Sequence, residues 1–208
     1  MAGGSLGEAI AAVAAIVLSI IALAGLYPEL LLPIAALTVA GAFLFEGGAI
    51  AARYARVAGF LGGKSEDLAA VGGGMSVEFF AGVGGIVFGI LSLLGIAPAI
   101  LMPVAVLLFG CALAVGAAAT EKVRTLAAPE SERSVNMPLH ELETLAMGGA
   151  TSVRLLVGLG VIVLGILALV GVGNVTVLCL SAFLALGAAL ILSGTAVASS
   201  LLGIFQHR

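Results

Sequence analysis

The chain has 208 residues, 62% of them hydrophobic and 9% charged, with a formal net charge of −3 and a mean hydropathy of +1.31. Its 8 basic and 11 acidic residues cannot cover the surface of a water-soluble domain of this length, which excludes an ordinary soluble enzyme or binding module. No basic run or aromatic-rich basic patch supports nucleic-acid binding.

Met1 to Gly7 contains no Lys or Arg. The basic n-region of a cleavable leader is missing, and the first apolar run is read as a retained span. Six spans are expected, at roughly 8–26, 29–52, 78–96, 99–120, 154–172 and 175–204. A 19-residue helix rises about 28 Å, close to the roughly 30 Å of hydrocarbon in a bilayer.

The spans come in pairs joined by very short turns. Pro28, Pro33, Pro98 and Pro103 recur at matched places around the first two turns, where the opening of a helix tolerates proline. The third turn uses Gly171-Val172-Gly173-Asn174 instead, built from residues suited to tight turns. Between residues 16–35 and 86–105, nine of twenty positions are identical, and between 86–96 and 162–172 seven of eleven are. The expected fold is therefore an all-α integral membrane domain spanning 1–208. It comprises three repeated helical hairpins, at 3–56, 72–126 and 148–205, around a pseudo-threefold axis.

The connecting segments 53–77 and 121–153 hold most of the charge. Early acids at Ser65-Glu66-Asp67 and a proline at Pro138 predict short interfacial helices there. Gly72-Gly73-Gly74 reads as a hinge between such a helix and the next span, since no Lys-Ser/Thr follows to make a phosphate loop. All eight basic residues lie in these linkers, at their edges or at the C-terminus, and none lies at a hairpin turn. The positive-inside rule then puts both termini and both linkers in the cytoplasm.

Few residues could carry chemistry. Glu8, Glu78 and Arg154 occupy equivalent entries to the first helix of each repeat. Around a threefold axis Arg154 could clamp both acids, or the three could simply mark the water boundary. Glu46 lies seven residues before Arg53 in the middle of an apolar run. An acid there is either a proton or cation site, or a snorkelling group paired with Arg53 or Arg56. Cys111 and Cys179 match no zinc or redox spacing and read as small packing residues. His140 and His207 fall outside the spans. No metal cluster, P-loop, dinucleotide fingerprint or nucleophile elbow occurs, so no catalytic, cofactor-binding or metal-ligating residue is assigned. Gly82, Gly85, Gly89, Gly160 and Gly165 form small-residue tracks that permit close helix contact, and the same tracks are expected to support self-association.

The phrase Gly82-Val83-Gly84-Gly85-Ile86-Val87-Phe88-Gly89-Ile90-Leu91-Ser92-Leu93-Leu94-Gly95, with its copy from Val157 to Gly171, resembles the repeat of HdeD-like acid-resistance proteins of the bacterial inner membrane. The resemblance implies six spans as three short hairpins and a stress-related role, and it brings no active site. The functional expectation is a non-catalytic scaffold or stress-protective protein, acting as a homo-oligomer or as a subunit of a larger membrane complex. The alternative is a small channel or transporter for protons or a small solute, using Glu46 with Glu8, Glu78 and Arg154.

Overall fold

The computed structural model describes the backbone of residues 3–61, 65–127 and 138–205 and the side-chain surroundings of residues 7–47, 77–118 and 152–192. Among these residues there are six helices and no strand: α1 (Gly3–Leu23), α2 (Pro28–Leu61), α3 (Ser65–Leu93), α4 (Pro98–Ala127), α5 (Pro138–Val170) and α6 (Val175–Phe205). Four of them carry stretches long and apolar enough to cross a membrane: Pro28–Gly47, Pro98–Ala118, Ser152–Val170 and Val175–Leu192. The apolar stretches Gly7–Leu23 and Val77–Leu93 are shorter.

Two sequence expectations are corrected here. α3 runs unbroken through Gly72-Gly73-Gly74, so the three glycines do not form a hinge. The helices that start at Ser65 and Pro138 continue directly into the apolar stretches and are not separate short helices. Pro28 and Pro98 are the first residues of α2 and α4, as expected. Pro33 and Pro103, however, lie inside those helices, where each removes a backbone donor from the ladder.

α1 packs on α2 and α6, α3 on α2 and α4, and α5 on α4 and α6, which closes a ring. α2, α4 and α6 also meet one another on the inside of that ring. Their common core is aromatic. Phe43, Phe109 and Phe183, one from each inner helix, are fully buried. Phe43 and Phe109 stack at 5.4 Å with an interplanar angle of 2°, and Phe183 meets Phe109 edge-on at 6.2 Å. Offset and edge-to-face arrangements suit the ring quadrupole, so these contacts add to the burial itself.

The outward faces of α1, α3 and α5 are also apolar. Ile10, Val13, Val17 and Ile20 on α1 are exposed, as are Phe80, Val83, Val87 and Ile90 on α3 and Leu156, Leu159, Val163 and Ile166 on α5. Each set follows the three-four spacing of a single helix face. A large exposed apolar surface of this kind is unfavourable in water and suited to lipid. The inward faces carry the small residues. A Cβ at Gly82 would lie 2.9 Å from the Ala40 carbonyl oxygen, one at Gly158 3.0 Å from that of Gly110, and one at Gly187 3.0 Å from that of Ala12. Gly89 abuts Leu37, Gly165 abuts Leu107, and Gly85 lies against the Phe109 ring.

These glycines therefore seat helices of the same chain on one another. That reassigns the Gly85 and Gly89 track, which is not available as a surface for self-association. Gly160 makes no close contact within the chain, because a Cβ added there meets nothing within 4 Å. The close approach on α5 belongs to Gly158.

Three connections share one backbone geometry. After α1, the Leu26 N–H donates to the Ile21 carbonyl and the Gly25 N–H to that of Ala22. After α3, Ile96 donates to Leu91 and Gly95 to Ser92. After α5, Val172 donates to Leu167 and Gly171 to Ala168. Each is a Schellman cap with a left-handed glycine. Two residues further on, φ is positive again: 44° at Tyr27, 40° at Ala97 and 78° at Gly173. Tyr27 and Ala97 adopt a conformation that costs a side-chain-bearing residue about 1–2 kcal/mol, and each also precedes a proline. Ala97→Gly is accordingly expected to stabilise the bundle by up to about 1 kcal/mol, once the extra backbone entropy of glycine is subtracted. Gly173→Ala should destabilise it by about 1–2 kcal/mol. Thermal unfolding in detergent checks both, and a destabilised Ala97→Gly variant would contradict the strain argument.

Candidate functional site

At the end of the bundle away from the shared turns, four charged side chains converge from four helices. Glu78 stands 15 residues before the end of α3 at Leu93, about 23 Å from the turn at 1.5 Å per residue. Glu8 on α1 and Glu78 on α3 are buried. Arg154 on α5 and Glu46 on α2 keep only 15% and 10% of their side chains exposed.

Arg154 and Glu46 form a two-pronged ion pair. Arg154 Nη1 lies 2.7 Å from Glu46 Oε1, and Nη2 donates to Glu46 Oε2 at 2.9 Å. This is the planar fork for which a guanidinium is suited and an ammonium is not. The same Nη2 lies 3.7 Å from Glu78 Oε1. Glu8 is close enough for its charge to act on both Glu78 and Arg154. Among the described residues, α2 and α5 do not pack against each other. The ion pair therefore reaches across the inside of the ring and links two helices that otherwise connect only through their neighbours.

Gly116 makes room for Glu78. A Cβ at Gly116 would collide with the Glu78 carboxylate, so the acid occupies the volume that α4 leaves empty. Gly116 is also the residue that stands, in the second repeat, where Glu46 stands in the first.

The structure thus brings Glu8, Glu46, Glu78 and Arg154 together, but not with the expected pairing. Arg154 closes on Glu46 first and approaches Glu78 second. Both Glu46 oxygens engage Arg154, a partner 108 residues away that the sequence reading did not name for it. The side chains of Arg53 and Arg56 lie outside the described residues, as do His140 and His207. Cys111 is exposed on α4 and Cys179 buried on α6, both as free thiols. Among the described residues no group of three His, Cys, Asp or Glu is arranged to hold a metal ion.

The sequence contained a signal for the Glu46–Arg154 pair. Arg154 is the one basic residue at a position that is acidic in the other two repeats, and Glu46 the one charge at a position filled elsewhere by Gly116 and Leu192. The two departures from the repeat carry opposite charges, and in the fold they meet.

Comparison with protein-family models, with curated proteins and with solved structures finds no match.

Proposed function

We infer that this chain is a non-catalytic, multi-pass protein of the bacterial inner membrane. Its six helices cross as three repeated hairpins around a pseudo-threefold axis, with both termini and both linkers in the cytoplasm. It acts as a structural or stress-protective scaffold, as a homo-oligomer or within a larger membrane complex. The matching turn geometries, the close glycine–carbonyl approaches between α2 and α3, α4 and α5, and α1 and α6, and the matching outward apolar faces all support the threefold reading. The layout is also the one that the resemblance to HdeD-like proteins implies.

The observation that carries a scaffold over a conduit is the filled axis. Phe43, Phe109 and Phe183 are fully buried and close on one another between α2, α4 and α6. A path for ions needs hydrated or polar lining, and stacked phenyl rings offer neither. Purified protein in proteoliposomes should therefore pass protons and small ions no faster than empty vesicles. Flux above that background, abolished by Glu46→Gln, would establish the transporter reading instead. That second reading draws on one feature, the three carboxyl groups that gather with one guanidinium among the described residues at the end of the axis.

Orientation is tested separately. In a variant lacking Cys111 and Cys179, a cysteine at Asn174 should react with an impermeant thiol reagent added outside intact cells, and one at Ser131 should react only after lysis. Labelling of residue 131 from outside would reverse the topology.

A further inference from the structure

The charge cluster contains an imbalance that its closed ion pair does not resolve. Arg154 presents Nη1 and Nη2 to Glu46, while its Nε–H is buried without a hydrogen-bond partner. A buried donor left unmade is unfavourable. Glu78 stands beside it, with Oε1 at 3.7 Å from Nη2, about 0.9 Å beyond a charge-assisted hydrogen bond of roughly 2.8 Å. We propose that Arg154 is a transferable latch: the guanidinium that closes on Glu46 in this structure can pass to Glu78, giving α5 a second setting against α2 and α3.

The geometry gives this transfer a direction. A small rotation of the guanidinium would offer its side-on fork, Nε with Nη2, to the Glu78 carboxylate and leave Nη1 on Glu46. The orphaned donor then acquires an acceptor. The opposing factor is the space at Gly116, which lets the Glu78 carboxylate lie back against α4. Glu8, buried on α1, faces the same cluster. α2 and α5 share no packed surface among the described residues, so α5 can shift slightly without breaking apolar contacts to α2. α5 is packed on α4 and α6, and packed interfaces convert such small displacements into discrete alternatives.

Full-length protein in detergent provides the test. Glu78→Gln should lower the midpoint of thermal unfolding only slightly in the wild-type background. In the Glu46→Gln background, where Arg154 has moved to Glu78, the same change should lower it several-fold more. Equal shifts in the two backgrounds would show that the latch does not transfer. Failure of Glu46→Gln alone to fold would also refute the idea, because Glu78 should then have replaced the lost partner. Gly116→Ala approaches from the other side, since its Cβ displaces the Glu78 carboxylate towards Arg154. In protein labelled with 15N-arginine, the Nε–H signal assigned through Arg154→Gln should move in Gly116→Ala. An unmoved signal, or a Gly116→Ala chain that cannot fold, would count against the second setting.

Discussion

Arg154→Ala is expected to lower the stability of the folded bundle by about 3–5 kcal/mol, the range seen when one member of a buried ion pair is removed. The loss is large because of what remains. Glu46, Glu78 and Glu8 stay together at one end of the ring, two of them buried and Glu46 only 10% exposed, with no guanidinium left among the described residues. Arg154→Glu should be worse still, since it adds a like charge to the group. Arg154→Lys should recover only part of the loss, because an ammonium cannot make the two-pronged contact with Glu46. Adding Glu46→Gln and Glu78→Gln to Arg154→Ala should restore part of the stability by removing the charges left without a partner. Chemical or thermal unfolding in a defined detergent reads all four proteins. An Arg154→Ala variant as stable as wild type would mean that the pair contributes nothing to holding α5 and α2 in place.

The helical class and the position of the turns were legible in the sequence because they rest on local chemistry. Gly25, Gly95 and Gly171 close Schellman caps within six residues, and those caps need only a residue that tolerates positive φ. Which face of each helix points inward was harder to read. In a soluble bundle the apolar stripe marks the core, but here Ile10, Phe80 and Leu156 on the outside are as apolar as Phe43, Phe109 and Phe183 within. Size replaces polarity as the signal: Ala12, Gly82 and Gly158 occupy one repeat position and face inward, while the bulky Ile10, Phe80 and Leu156 occupy another and face outward. Choosing Gly160 rather than Gly158 as the packing residue follows from counting glycines without applying that rule. The Glu46–Arg154 pair eluded local reasoning for a different reason. Its members are 108 residues apart, and sequence spacing brings forward only partners close in the chain, such as Arg53, seven residues from Glu46.

Gly85→Leu should be among the most damaging single substitutions in the chain. A Cβ at Gly85 would penetrate the Phe109 ring and lie 3.0 Å from the Ala40 Cβ. Phe109 cannot easily move aside, since it is fully buried, stacked on Phe43 at 5.4 Å and in edge contact with Phe183 at 6.2 Å. Gly85→Ala alone should therefore cost about 1–3 kcal/mol through overpacking, and the leucine should cost more because its branch must enter the space already held by the aromatic core. Gly160→Leu is the matched control, with the same chemical change on a helix position where nothing lies within 4 Å, and it should leave stability nearly unchanged. Phe109→Leu combined with Gly85→Ala should recover part of the loss by removing ring atoms from the point of collision. Unfolding midpoints separate these cases, and native mass adds a second readout. If Gly85→Leu keeps its unfolding midpoint but halves the native mass, then Gly85 lies at a contact between copies of the chain. If the midpoint falls while Gly160→Leu holds, the glycine is what allows α3 to close on α2 and on the ring of phenylalanines behind it.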